Sequence, residues 1–224
     1  YNKPSNIIFR NFLNVFVSLN YRSSTRLVVV TDTIRQYVLK NYKIDPTKIQ
    51  IIGNGFSPET FHILDQTPDD SFDCQIFFAG SFHKDTGVDD LVEALLQLSL
   101  QDRVTTPHIL AGDGPLRAQL IDRVARARAT SKILFPGRIR QEQINQFLNK
   151  AAVGVVPFNT LGLSQTGSAA VKVMEYLATG TPVLATRHAD HRFIEENRLG
   201  MLCNPDDPKN MARVLQTLFD SKED

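Results

Sequence analysis

Cys74-Gln75-Ile76-Phe77-Phe78-Ala79-Gly80 is a nearly unbroken apolar run closed by a glycine. A strand with one face in water would alternate apolar and polar side chains; a continuous run means burial on both faces. Working outward, the same design recurs. Val88 to Leu100 has helical periodicity, with Val88, Leu91, Val92, Leu95, Leu96 and Leu98 on one stripe. His108 to Ala111 reads as a strand, followed by Gly112-Asp113-Gly114-Pro115, and Pro115 suits the first turn of a helix running to about Arg128. Lys132 to Phe135 and Val153 to Phe158 read as strands on either side of a helix from Gln141 to Lys150. A helix from Val171, a strand from Pro182 to Thr186, a short strand Met201 to Cys203 and a helix from Pro208 to Phe219 complete the series. Strands alternating with helices over short connections predict an α/β fold, a doubly wound parallel sheet with right-handed crossovers. Ligands bind such sheets beyond the carboxyl ends of the strands, at the topological switch. The turns at Gly80, Gly112, Gly137 and Gly167 all follow strands and gather at that edge.

Before this series the pattern is less regular. Ile7, Ile8, Phe9, Phe12, Leu13, Val15, Phe16, Val17 and Leu19 make an apolar helical segment, too short to span a bilayer. It reads as a core helix of a domain whose remainder is absent, with a membrane-surface helix as the alternative. Leu27 to Val30 reads as a buried strand, Asp32 as the cap of a helix through Lys40, and Lys48 to Ile52 as a second strand. Gly53-Asn54-Gly55-Phe56 is a turn by composition, and the polar stretch Asp65 to Asp73 reads as a linker or surface loop.

Composition excludes several classes. The chain has 224 residues, 25 Lys plus Arg against 24 Asp plus Glu, and no long basic run, which argues against a nucleic-acid footprint. Cys74 and Cys203 lie far apart, each at the edge of an apolar run, and read as buried reduced thiols of a reducing compartment. Neither GxGxxG nor GxxxxGK[ST] is present, which weakens dinucleotide and ATP phosphate-loop readings. His188-Ala189-Asp190-His191 does not have the spacing of a recognised metal site, and no metal is expected. His62 and His108 read as structural, Glu195 and Glu196 as a helix face.

The stretch with most chemical potential is Gly167 to Pro182, GSAAVKVMEYLATGTP. Gly167, Ser168, Ala169 and Ala170 let a ligand approach the backbone where a helix begins, and the first N–H groups of a helix have no partner within it. Lys172 and Glu175 are three apart and share a helix side. Gly180 ends the helix and Pro182 prevents its resumption. The plainer reading is a packed helix with one surface Lys–Glu pair.

Several segments, in order, resemble the retaining, nucleotide-sugar-dependent glycosyltransferases of the GT-B fold, glycosyltransferase family 4. They are Val28 to Asp32; Ile51 to Phe56 with Phe61; Phe78 to Ser81 with Gly87-Val88-Asp89; Ala111 to Pro115; Phe135-Pro136-Gly137; and Lys172 to Ala178 with Gly180 to Val183. The resemblance implies that residues 1–50 are the tail of an N-terminal acceptor-side domain. It also implies that residues 51–224 are the C-terminal nucleotide-sugar-binding domain, without the final crossing helix after Phe219. Its donor would be a UDP- or GDP-linked sugar, its acceptor a glycan or lipid-linked molecule held by the N-terminal half. It would use no cofactor, lie in the cytoplasm and touch the membrane face peripherally.

By the same resemblance Glu175 matches the second glutamate of a Glu-x7-Glu motif, which meets the ribose; Gly167 stands where the first, a donor-sugar ligand, would be. Ser168, Ala169, Ala170 and Val171 match the backbone that wraps the diphosphate and sugar, and Lys172 occurs in related sequences reading Ser-x-x-x-Lys-x-x-Glu-Tyr. The family tends to have arginine and lysine where Ser81 and Thr86 stand, beside Gly80 and Gly87, so Lys84 or His83 would supply the missing cation. Gly137 and Arg138 match the turn lining the base. The catalytic group is therefore expected to be Lys84, Lys172 and Glu175. A sugar-nucleotide epimerase of the same architecture, or a non-catalytic binding module, are the alternatives.

Overall fold

The structure, a computed structural model, describes residues 15–65, 73–99, 106–163 and 171–220. The first part is small. Residues 15–23 form helix α1, followed by strand β1 (Leu27–Val29), helix α2 (Asp32–Asn41) and strand β2 (Ile49–Ile51). The two strands pair in parallel, Leu27 opposite Ile49, and Val29, Val38 and Ile49 make a small core of their own. Two sequence expectations change here. The strand read as buried is covered on one face only: Val28 is 53% exposed and Ile51 45%. The cap of α2 is Thr31, whose hydroxyl oxygen accepts from the Ile34 amide at 3.2 Å. Asp32 stands in the first turn, where a carboxylate meets the positive end of the helix dipole. The described part of the apolar N-terminal segment is helical, and its Val15, Phe16 and Leu19 are exposed. Residues 1–14 lie outside the described residues.

The larger part is a six-stranded, all-parallel sheet of β3 (Ile76–Ser81), β4 (His108–Asp113), β5 (Ile133–Gly137), β6 (Val153–Val156), β7 (Val183–Thr186) and β8 (Gly200–Cys203). Between them run α3 (Val88–Ser99), α4 (Arg117–Arg126), α5 (Gln141–Lys150), α6 (Val171–Ala178) and α7 (Arg192–Glu196), with α8 (Pro208–Asp220) last. The strand order is β5-β4-β3-β6-β7-β8. The chain winds outward from β3 to β5, returns to the middle, and winds the other way to β8. Ile76 and Phe78 face a core with Leu91, Leu95, Leu120 and Leu215, from α3, α4 and α8. Phe77 and Ala79 face a second core with Ile144, Leu148, Val173 and Ile194, from α5, α6 and α7. Successive residues of one strand feed opposite cores, which is why the strand reads as a continuous apolar run.

Turn geometry moves one boundary. Pro115 lies in the turn ahead of α4, which begins at Arg117, rather than in its first turn. The backbone at Gly112 runs so close to β3 that a Cβ there would sit 1.8 Å from the Gly80 carbonyl oxygen. The turn must clear this contact before a helix can start. Gly180, with φ +74, ends α6 as the sequence predicts, and its amide closes on the Leu177 carbonyl. Cys74 and Cys203 are buried free thiols, and burial pushes both up to about 12, so they stay protonated and inert. Glu195 does more than face a helix: its carboxylate accepts from the two terminal guanidinium nitrogens of Arg187, at 3.0 and 3.1 Å, and from the Leu202 amide, tying the end of β7 to α7 and β8.

His108 opens β4 fully buried, and among the described residues neither ring nitrogen has a partner. Burial, with nearby Lys132, lowers its pKa to about 4. The folded protein keeps this ring neutral, while the unfolded chain protonates it near its ordinary value of 6.5. This contribution is fully present above that value and is lost as pH falls from there through about 4. We expect unfolding free energy to drop by about 2–3 kcal/mol between pH 7.5 and 4.5 through this group alone. His108→Leu should remove that share of the drop in urea titrations at the two pH values; an unchanged difference would exclude His108 as its source.

Candidate functional site

The two middle strands part company. β3 and β4 stay paired up to Ser81 opposite Asp113, whereas β3 and β6 pair only at Ile76–Val153 and Phe77–Gly154. Beyond that point the sheet forks, and the Ala79 amide has no strand partner on the β6 side. Tyr176 of α6 fills the fork. Its hydroxyl accepts from the Ala79 amide at 3.0 Å, and its ring lies on Gly154, where a Cβ would come within 2.4 Å of the ring. The side chain is completely buried, and burial raises its pKa, so the phenol stays neutral.

Above Tyr176 the fork opens into a cavity of about 240 Å³. Phe78, Ala79, Gly80 and Ser81 form one wall, Val155 to Phe158 the other, and Thr86, Lys172 and Tyr176 contribute from the adjoining loop and α6. This is the carboxyl edge of the sheet at the reversal of winding, where open α/β sheets hold ligands. The loop after β6 is strapped over the loop after β3. The Asn159 side-chain amide donates to the Lys84 carbonyl, the Thr160 hydroxyl meets the Asp206 carboxylate, and Gly87, with φ +66, lies under the Pro157 carbonyl oxygen.

The sequence-predicted residues divide into groups. Gly80, Ser81 and Lys172 border the cavity. Glu175 is not among its lining residues: its side chain is 10% exposed and its Oε2 lies 2.8 Å from Lys172 Nζ. The pair therefore meets on one helix side, as the spacing predicts, but it is half-buried rather than a surface pair. Lys84 is exposed in the loop after β3 and is not among the cavity's lining residues. Gly137, with φ +82, and Arg138, 84% exposed and 4.0 Å from the Asp113 carboxylate, stand at the end of β5, two strands from the fork. Val171 opens the described part of α6 and is 40% exposed. Gly167, Ser168, Ala169 and Ala170 lie outside the described residues.

Sequence reasoning missed the role of Tyr176, a residue of its Lys-x-x-Glu-Tyr pattern. The signal was present: a tyrosine facing a core needs a partner for its hydroxyl. It also missed Phe78, Val155, Pro157 and Phe158 as cavity wall. Ser81 and Thr86, where the resembled family tends to carry cations, both border the cavity, and they carry only hydroxyls. Among the described residues no group of three or more His, Cys, Asp or Glu side chains could hold a metal ion. In the His188 to His191 segment, Asp190 instead accepts from the Thr33 hydroxyl at 2.7 Å, joining the smaller part to the larger.

Residues 73–221, more than half the chain, match the family described as Glycosyl transferases group 1. The chain belongs to that family. D-inositol 3-phosphate glycosyltransferase of Streptomyces scabiei is 25% identical over 220 residues, covering 90% of this chain and 48% of the relative. Glycogen synthase of Mycobacterium tuberculosis is 22% identical over 202 residues, covering 89% and 46%. The chain thus spans about half the length of the curated relatives it matches. Among solved structures, Anabaena Alr3699/HepE in complex with UDP superposes with a TM-score of 0.75 at 16% identity, over 94% of this chain and 58% of that one. Sucrose-phosphate synthase from Thermosynechococcus elongatus gives 0.73 at 21%, over 94% and 53%. At these identities the likeness is one of fold: the six-stranded sheet is that of the C-terminal, Rossmann-like domain of GT-B glycosyltransferases. Among the described residues no helix is long and apolar enough to cross a membrane.

Replacing Tyr176 by Phe keeps the ring on Gly154 and leaves the Ala79 amide buried without a partner. We expect a loss of about 1–3 kcal/mol in unfolding free energy and faster hydrogen exchange at Ala79. A variant as stable as the parent would mean that the fork does not depend on this bond.

Proposed function

We propose that the chain is the donor-binding part of a glycosyltransferase that moves a sugar from a nucleoside diphosphate to an acceptor with retention at the anomeric carbon. The observation that carries this reading is the cavity at the β3–β6 fork, with the Lys172 ammonium at its edge. Family membership and the UDP complex of a protein of the same fold support it.

Transfer breaks the bond between the anomeric carbon and the leaving phosphate oxygen. Negative charge grows on the diphosphate while the sugar gains oxocarbenium character. Donors held in place around that phosphate act mainly in the transition state. Here they would be Lys172 and the hydroxyls of Ser81 and Thr86, with the amides of Ser168 to Val171 wrapping the diphosphate and sugar. Lys84 would join them by moving into the loop's mouth, and Gly137 and Arg138 would line the base. This arrangement places the needed positive charge on side chains and amides and calls for no metal. The base, uracil or guanine, the acceptor, a glycan or lipid-linked molecule, and peripheral contact with a membrane face all belong to this proposal. Acceptor binding would fall to an N-terminal half, so the chain by itself should transfer little sugar, and robust transfer by it would contradict this division of labour.

Calorimetric titration with UDP and GDP tests the reading. One of the two should bind, and Glu175→Ala should weaken it by about 1.5–3 kcal/mol, the range for a charge-assisted hydrogen bond. Unchanged affinity in a folded variant would remove Glu175 from the site. Failure of both nucleotides to bind the parent chain would remove the site itself.

A further inference from the structure

We propose that Asp113 reads the base of the donor and selects guanine over uracil, so that the nucleotide held by this chain is a guanosine diphosphate. Guanine is one of the two bases that the donor-binding reading, on which this rests, leaves open.

Packing sets the place of Asp113. It stands between Gly112 and Gly114 at the end of β4, and neither neighbour has room for a side chain. A Cβ at Gly112 would lie 1.8 Å from the Gly80 carbonyl oxygen, and one at Gly114 2.6 Å from that of Phe82. The Asp113 carbonyl accepts from the Phe82 amide at 2.9 Å, which holds its backbone. Asp113 is opposite Ser81, which borders the cavity, so it lies one strand, about 5 Å, from the cavity wall. On its other side β5 stops short. Gly137 is opposite Ala111, two residues before Asp113, so β4 overhangs the end of β5 by about 6–7 Å. The step is open: among the described residues, the one atom beyond its chain neighbours within 4 Å of a Cβ at Gly137 would be an Arg117 guanidinium nitrogen, at 3.9 Å. That guanidinium is fixed in turn, donating to the Phe135 carbonyl at 3.2 Å. A flat ring seated on this step has a guanidinium beside it, a group that packs well on aromatic faces, and the Asp113 carboxylate at its edge.

The carboxylate has capacity to spare. Oδ1 accepts from the Gly114 amide at 2.8 Å, and Oδ2 lies 4.0 Å from Arg138 Nε. An ion pair at that distance, with side chains 84% and 51% exposed, contributes little and is readily displaced. Each carboxylate oxygen can accept more than one bond. Guanine presents two adjacent donors, N1–H and the 2-amino group, which match the two oxygens of a carboxylate, and beside them O6, an acceptor for Arg138. Uracil presents one donor, N3–H, between two carbonyl oxygens that a carboxylate repels. The plainer role of Asp113, closing the turn on the Gly114 amide, uses one oxygen and favours no base.

Calorimetric titration of the chain with GDP, UDP and inosine diphosphate, whose base is guanine without the 2-amino group, separates these roles. GDP should bind about tenfold more tightly than inosine diphosphate, the share of one charge-assisted bond, and more tightly still than UDP. Asp113→Asn keeps an oxygen for the Gly114 amide but turns N–H donors toward those of guanine. It should weaken GDP by at least about tenfold, bring GDP and inosine diphosphate within about twofold of each other, and leave UDP no weaker. Thermal unfolding checks that the variant is folded, and Asp113→Ser, which keeps an oxygen near the turn, serves should it not be. Equal affinity of the parent for GDP and inosine diphosphate, or tighter binding of UDP, would overturn the inference while leaving the donor site standing. A folded Asp113→Asn that loses all three nucleotides alike, or keeps the parental preference for GDP, would make Asp113 a turn residue only and also overturn it. A parent chain that binds none of the three would overturn the donor-binding reading, and this inference with it.

Discussion

The Ala79 amide is the constraint on which the site depends. A buried backbone N–H must be paired, and on the β6 side of β3 the ladder stops after Phe77–Gly154. Any open parallel sheet that reverses its winding creates this problem at the reversal. One solution is to keep the strands paired to their ends, which closes the fork and leaves no room. Here a side chain from α6 supplies the acceptor, so the strands can part and the backbone remains satisfied. The bond also fixes α6 against the sheet. Lys172 and Glu175 lie within one turn of Tyr176, and their place at the cavity follows from that anchor.

Close packing beneath the fork supports the same arrangement. The ring of Tyr176 lies flat enough on β6 that only a residue without a Cβ fits at Gly154. In the same core Phe77 stacks on Phe147, with ring centroids 5.3 Å apart, and holds β3 against α5. Past the end of α6, Thr181 donates to the Leu148 carbonyl at 2.6 Å and Thr179 to the Tyr176 carbonyl at 2.7 Å. These buried hydroxyls lock the C-terminal end of the helix to α5.

Much of this was legible in the sequence, for identifiable reasons. Strands buried on two faces announce themselves as continuous runs, and from β3 onward each was found within a few residues of its place. Gly180 and the Lys172–Glu175 spacing are local features, and local features are read directly. What escaped was non-local. Nothing in Tyr176's immediate neighbours says that its hydroxyl reaches β3, ninety-seven residues earlier in the chain. Thr31 and Asp32 are both competent caps, and the choice between them is set by where β1 releases the chain. The one-sided burial of β1 and β2 could not be read either, since a strand pattern does not say how many neighbours the strand will have. The amides of Ser168 to Ala170, central to the sequence reading, lie outside the described residues, so their part in the site rests on the resemblance.

The electrostatics of the cavity follow from its having, among the described residues, one bordering cation rather than several. Two cations facing each other across an apolar fork would repel and would each need solvent or an anion when the site is empty. Lys172 paired with Glu175 forms a unit of no net charge, so the empty cavity asks for little hydration. The pair is still strongly dipolar, with its positive end at the more exposed side. On the proposed donor-binding reading, a diphosphate would meet that end first. The hydroxyls of Ser81 and Thr86 can then donate hydrogen bonds without adding charge to the empty state. If the proposed donor site is right, a pair without net charge is inexpensive to fold, and the donors around it would favour charge that develops on a leaving phosphate.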